Sequence, residues 1–587
     1  MQKSIFVFCL VILATFGPWT PEALAQATNA STNEDYYHWL DRYEIKSGRV
    51  VTELFTTIKP YKRNTIVAYV DSLEAKDHVF TSSADKFNYE YFRNDNWEWS
   101  RAVTSDSRKP IWNTFYKKKS DLYNVDVPDF DLHVSPVLYA GLGYDMESGG
   151  NIGKNQKTFI NTRGIEIRSM IDKKIGIYAY FTDNQAILPG YVERTLSQSL
   201  VVPHEGFWKP FKTNGVDYFQ ARGYIDVNIS KHVYVQLGHD RMFIGNGIRS
   251  LIWSDYAPPQ LYLRANVKVW KINYMFQLNR MTADVNGSAV GGLSNGKYPE
   301  KYVAFHHASI NIGKKFNLGL FESIVFSPKD SVNGQKAAFE WSYVNPVIFY
   351  RAIEQQYGSA DNAIIGGDFK WNAFKGVSIY GQFVLDEFVL GHIKAHDGWW
   401  ANKFALQGGI KYIDAFGVSN LDLQLETNIV RPYTYSHNAR YANYTNYRQP
   451  IAHPAGANFK EVICVVKYQP LGRLNLTGKL ILIKGGSDLG TLSNYGGDPL
   501  KNNNTHVQDL GNKIGQGTPY TRLFASFTAS YMVKHNIFVD LQLVKRTENF
   551  TYDPGVIPGN VAPPVSTTAF VSSLAVRWNI APRNYDF

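Results

Sequence analysis

The sequence predicts an all-β protein, a transmembrane barrel of about eighteen antiparallel strands preceded by a small, partly helical region. Three observations carry this. Aromatic residues make up 15% of the 587 positions and charged residues only 19%, which argues against disorder. The 46 glycines argue against a helical bundle, because glycine is costly inside helices and common at turns. No stretch after the N-terminus reaches the ~18 apolar residues of a membrane helix. Period-two alternation nevertheless recurs, as expected where one strand face meets lipid and the other a polar lumen.

The first segment sets the compartment. Lys3, the apolar run Ile5–Phe16, the turn Gly17-Pro18 and the small residues Ala23-Leu24-Ala25 have the order of a secretory signal peptide. Residues 1–25 are therefore expected to be removed. Cys9 leaves with them, and Cys464 alone cannot form an internal disulfide. A formal charge of +10 suits anionic glycans or lipid headgroups; no nucleic-acid partner is expected.

Residues 26–130 read differently from the rest of the mature chain. Ile66, Val67, Val70 and Leu73 share one helix face, and Ser82 or Ser83 can cap a second helix carrying Phe87 and Tyr91, closed by Asn94-Asp95-Asn96. This region either plugs the periplasmic mouth of the barrel or lies beside it. A pore of about eighteen strands leaks unless filled.

Residues 131–587 carry the barrel. Phe219, Ala221, Gly223, Ile225 and Val227 take one face, while Tyr218, Gln220, Arg222, Tyr224 and Asp226 take the other. Ser230-Lys231 then turns the chain into Val233, Val235 and Leu237. Leu421, Leu423 and Leu425 oppose Asp422, Gln424 and Glu426 in the same way. Strands are expected to start near positions 132, 159, 174, 216, 232, 259, 270, 302, 315, 361, 375, 403, 418, 458, 473, 520, 536 and 568. Long connections (145–158, 185–215, 241–258, 281–301, 327–360, 389–402, 433–457, 486–519 and 548–567) alternate with short turns. That asymmetry is the mark of an outer-membrane barrel with periplasmic termini and outward-facing, extracellular loops. Pro582 interrupts the final strand before Phe587, so that strand either stops near Ile580 or is out of register.

Enzyme signatures fail on inspection, and neither catalysis nor a cofactor is expected. His204-Glu205 is followed by Trp208 where a zinc hydrolase needs a second histidine. His306 and His307 point to opposite strand faces and cannot chelate one metal. Asp126, Asp129 and Asp131 read as a capped turn rather than a calcium loop. Lumen-facing charges such as Glu166, Arg168, Arg222, Asp226 and Asp422 read as an internal network.

The long loops hold more. Asn345-Pro346, Ala352, Ile353 and Gly358 have the N-cap, first-turn proline and terminal glycine of a helix, and Arg351 and Glu354 can pair on one face of it. Phe207, Trp208, Trp253, Tyr256, Trp399, Trp400, Tyr433, Tyr435, Tyr441, Tyr444 and Tyr447 crowd the same side. Flat rings offer sugars an apolar platform, and neighbouring Arg, Asn and His can bond hydroxyls or carboxylates. Interfacial girdles and self-packed loops account for more than half of these rings.

These residues carry a family resemblance. Asn161-Thr162-Arg163-Gly164-Ile165-Glu166, Asn345-Pro346 with Tyr350-Arg351 and Glu354, Gly358-Ser359 with Asp361-Asn362, Tyr380-Gly381-Gln382 with Asp386-Glu387, Arg431-Pro432-Tyr433, and His453-Pro454 with Asn458-Phe459 and Glu461 resemble the capsule-assembly Wzi family of Bacteroidota. The resemblance implies an outer-membrane barrel that holds capsular or exported polysaccharide, in the manner of a lectin, among outer-membrane lipid and lipopolysaccharide. Similar proteins linked to gliding motility imply a second role with periplasmic, secretion or gliding machinery, and a porin-like channel is the third alternative. The glycan candidates are Arg351, Glu354, Trp399, Trp400, Arg431, Tyr433 and His453. Asn345, Pro346, Asp361, Asn362, Asp386, Glu387 and Glu461 form the structural motif.

Overall fold

Alternating strands with unpaired edges must close on themselves or pair elsewhere, and here they close. The computed structural model describes residues 27–30, 34–149, 155–283, 298–328, 331–332, 335–336, 339–347, 349–358, 361–439, 441–488, 493–551 and 565–587. The expected signal peptide, Ile348 and Ser359 lie outside them. Eighteen antiparallel strands form one barrel. The first (Phe130–Ser148) and the last (Val565–Trp578) seal it, from Leu138 opposite Trp578 to Ser148 opposite Thr568. Each barrel strand starts within three residues of its expected position.

The two faces separate as the alternation requires. In Gly215–Asn228, Phe219 and Ile225 are exposed while Tyr218, Gln220, Tyr224 and Asp226 are buried. Leu142, Leu320, Leu425 and Leu574 extend an outward apolar band around the wall. In water such a band would be unfavourable; in lipid it is the span itself. No helix among the described residues is long and apolar enough to cross a membrane.

Helices α1 (Glu34–Ser47), α2 (Arg63–Asp77) and α3 (Ser83–Asp95) precede the barrel. Ser82 caps α3 in a reciprocal box with Asp85. The three helices pack around Trp39, Tyr43, Tyr69, Leu73 and Phe92 and are seated in the short-turn end of the lumen. Arg42 reaches Asp422 at 2.5 Å and Asp414 at 2.5 Å, Arg168 reaches Glu98 at 2.7 Å, and Asn88 bonds Gln469 at 2.8 Å. Lys370 and Lys411, on the two strands that flank Val377–Glu387, both bind Asp41. The lumen-facing charges are thus matched to this helical unit; Asp226, for example, lies 3.7 Å from Lys62.

Two connections depart from expectation. The loop 241–258 folds into the lumen instead of outward. Phe243 and Ile244 pair with Ile58 and Lys59, and Trp253 and Tyr256 are buried in the interior core with Phe305 and Tyr444. In the connection 327–360, the described residues Tyr343, Tyr350 and Ile353 pack onto the outer wall with Phe276, Ile324 and Phe326. Glu322 and His306 face away from the lumen, and helix α4 (Tyr350–Tyr357) packs over them, with Tyr350 stacked on His306 at 4.6 Å. This helix starts at Tyr350 and not beside Asn345-Pro346, because its cap comes from the wall: Glu322 accepts the Tyr350 and Arg351 N–H groups at 2.9 and 2.8 Å. Gly358 ends it at φ 61° as expected. The last strand ends at Trp578, in line with the stop near Ile580 that the sequence allowed, and residues 579–587 turn back into the lumen, where Asp586 meets Arg249 and Lys479.

Candidate functional site

Three long loops clasp one another at the long-loop rim. Helix α5 (Leu390–Ala395) and the turn after it align with 509–512 through backbone bonds Trp400 N to Asp509 O (2.9 Å) and Gly511 N to Asp397 O (2.8 Å). The third loop joins through Tyr433 N to Gly496 O at 2.9 Å. These bonds place two tryptophans side by side, each under a histidine. Trp399 stacks on His392 (centroids 4.6 Å, 10°), and Trp400 stacks on His506 (4.3 Å, 15°).

Carboxylates hold the histidines. His392 Nδ1 lies 2.5 Å from Asp397, and His506 Nε2 lies 2.6 Å from Asp509. The His392 hydrogen bond is the main reason that the Asp397 carboxyl is held below its ordinary value. Tyr433 meets Trp400 edge-on at 6.0 Å, and its hydroxyl donates to Asn494 O at 2.8 Å. Arg431 lies beneath, donating to Trp399 O at 3.4 Å. Trp399 Nε1 and Arg431 Nε are enclosed donors without a hydrogen-bond partner among the described residues, an unfavourable state for each. Half-exposed rings beside carboxylates and amides can hold a sugar's apolar face and its hydroxyls together.

Of the residues singled out in the sequence, Trp399, Trp400, Arg431 and Tyr433 converge here. Arg351 and Glu354 do pair, at 2.7 Å, on α4 against the outer wall. His453 is fully buried: its Nδ1 accepts the Ala455 N–H at 3.1 Å, so Nε2 carries the proton shared with Glu461 at 2.7 Å. Asp361 accepts from Tyr343, Asn362 opens a strand, Asp386 accepts the Tyr435 N–H, and Glu387 pairs with Lys403. Asn345 accepts the Val347 N–H, and the Pro346 carbonyl accepts from Tyr274. Sequence reasoning missed His392, His506, Asp397 and Asp509. His392 and Asp397 are five residues apart and His506 and Asp509 three, but they sit on a short helix and irregular loops, and His506 meets Trp400 from a different loop, so no periodicity marks them.

A second space of about 290 Å³ lies inside the lumen, between the helices, loop 241–258 and the returning segment, with Lys59, Arg222, Arg241 and Arg249 in its walls. Burial pulls the Lys59 amine down to about 7.

A closed eighteen-strand wall, an outward apolar band and long loops on one side define the fold of an outer-membrane β-barrel. No protein-family model matches the chain, and no curated protein matches it. Among solved structures, it is similar to Wzi of Escherichia coli, described as an outer-membrane protein involved in group 1 capsule assembly and a carbohydrate-binding β-barrel. The TM-score is 0.55 at 13% identity, covering 95% of this chain and 100% of that one. OprD of Pseudomonas aeruginosa (TM-score 0.36, 12% identity, 76% and 94% covered) and OccAB2 of Acinetobacter baumannii (0.40, 10%, 76% and 98%) are also similar. At these identities the Wzi likeness establishes the fold.

Proposed function

We propose that the protein is a non-catalytic outer-membrane lectin that retains capsular or exported polysaccharide at the cell surface. The observation that carries this is the pair of tryptophan–histidine stacks on three clasped loops. The carbohydrate-binding description of the similarly folded Wzi agrees with the reading. Purified protein carrying Trp399→Ala and Trp400→Ala is expected to lose binding to the extracted surface polysaccharide while the folded barrel keeps its heat-modifiable migration. Full binding by that variant would reject the site.

A channel is the second reading, favoured by the space of about 290 Å³ with its cationic walls in the lumen. Planar-bilayer recordings separate the two, since a large steady conductance from the intact protein belongs to a channel.

A further inference from the structure

The chain between the helices and the barrel forms a hairpin that neither reading uses. Ser107 N bonds Lys117 O at 2.9 Å, and Ile111 and Phe115 exchange bonds of 2.8 and 2.9 Å around a tip at Trp112 and Asn113. Its tip is apolar and uncovered, with Trp112 84% and Ile111 50% exposed. Its flanks are basic: Arg108, Lys109 and Lys117 have no ion-pair partner among the described residues.

The hairpin has a fixed height on the barrel. Tyr116 stacks on Trp578 at 5.6 Å and 19°. Trp578 belongs to the outward face that also carries Leu574 and Val576, so the apolar tip is continuous with the lipid-facing band at its short-turn edge. Between the hairpin and the rim turns lies a cleft of about 590 Å³. Lys109, Lys119, Arg473 and Lys534 line it against one carboxylate, Glu90, and its outer wall is the lipid-facing Val533 and Trp578.

We infer that this cleft binds the headgroup of an anionic phospholipid in the short-turn leaflet, with Ile111 and Trp112 inserted beside it at the interface. A phosphate would meet four cations, while its acyl chains would run along Val533 and Trp578. Amphipathic rings settle at the boundary between headgroups and chains, and cations near an anionic leaflet add attraction. The inference rests on the barrel being embedded in a membrane, not on the glycan reading.

Native mass spectrometry of the full-length protein, released from detergent with equal phosphatidylglycerol and phosphatidylcholine, tests it. Wild type is expected to retain phosphatidylglycerol preferentially. The Lys109→Gln/Lys119→Gln/Lys534→Gln variant is expected to lose that preference, by roughly fivefold for each cation. Equal retention of both lipids by wild type, or an unchanged preference in the variant, overturns the proposal. A fluorophore on Trp112→Cys in a Cys464→Ser background, in phosphatidylglycerol nanodiscs, provides the second readout. Quenching by spin-labelled lipid supports insertion; quenching by aqueous iodide alone would assign the hairpin to a soluble partner and overturn it. Heat-modifiable migration checks that each variant barrel is folded, so failure here is distinct from failure of the membrane reading.

Discussion

Asp586 accepts a 2.9 Å hydrogen bond from Arg249, joining the segment after the last strand to the loop that folds into the lumen. Lys479 reaches the other carboxylate oxygen at 2.7 Å. Burial alone would raise the Asp586 carboxyl, but the two cations outweigh it and hold it well below the usual range. Asp586→Asn removes the carboxylate shared by the buried Arg249 and Lys479, leaving Glu461 at 3.5 Å from Arg249, and breaking such a buried pair costs about 3–5 kcal/mol. The variant is expected to unfold at lower temperature in heat-modifiable gels. Asp586→Asn combined with Arg249→Met and Lys479→Met is expected to recover part of the loss. Wild-type stability in the single variant would count against the clasp.

The helical unit is held by carboxylates with depressed values. Burial works against ionisation of Asp41 and Asp95, but Lys370 and Lys411 on one, and Arg63 and His535 on the other, hold both well below the ordinary range. Such groups bind fewer protons folded than unfolded, so their stabilisation is complete above about pH 4 and falls as acid approaches the folded value. Lys59 has the opposite effect. Its amine, pulled down to about 7, penalises docking below that pH and relaxes as pH rises toward about 10. Hydrogen-exchange protection of α1, corrected for intrinsic rates, is therefore expected to rise as pH increases above 7, to weaken below about 6.5, where charging opposes the burial that holds His38 below its ordinary value, and to fall further below about 4. Protection that stays constant between pH 7 and 9 would contradict this balance.

The wall was legible in the sequence because lipid sorts side chains by one rule, apolar outward, at every second residue. Phe219 and Ile225 against Gln220 and Asp226 show it directly. Helix α1 was not, because its buried face carries Asp41, Arg42 and Glu44, whose partners Lys370, Lys411 and Asp422 lie more than three hundred residues away. A charge looks solvated until its counter-charge is located. The same limit hid the inward course of Arg249, whose partner Asp586 is 337 residues away, whereas the tryptophans stood out by type.

Glu322 caps α4 from the barrel wall, and His306 Nε2 lies 3.0 Å from the same carboxylate. Glu322→Ala removes the acceptor for two helix N–H groups, a loss of about 1 kcal/mol or more. The connection around Tyr350–Tyr357 is expected to become more sensitive to protease, with the barrel's own heat-modifiable transition little changed. Unchanged cleavage would mean that Tyr350 packing alone holds the helix.

Asp397 fixes both parts of the outer stack, lying against His392 and accepting the Trp399 N–H at 3.1 Å. Asp397→Ala frees the histidine to leave the ring without emptying the site. Polysaccharide binding is expected to weaken roughly fivefold, the worth of about one hydrogen bond, against full loss for the double tryptophan variant. Equal loss in both would indicate that Asp397 meets the ligand itself.

Loop 241–258 is held across the lumen by three wall residues on adjacent strands. Glu426 accepts Ile248 N at 2.7 Å and Arg249 N at 3.0 Å, Gln382 accepts Leu251 N at 2.7 Å, and Gln407 donates to Arg249 O at 2.9 Å. These bonds satisfy buried backbone groups that the loop cannot pair internally, so the wall and the loop are mutually required. Gln382→Ala, Gln407→Ala and Glu426→Ala together are expected to release the loop and produce discrete conductance steps in planar bilayers, where the intact protein gives little current. Steps of equal size in both proteins would show that ions bypass the loop, and would favour the channel over the lectin.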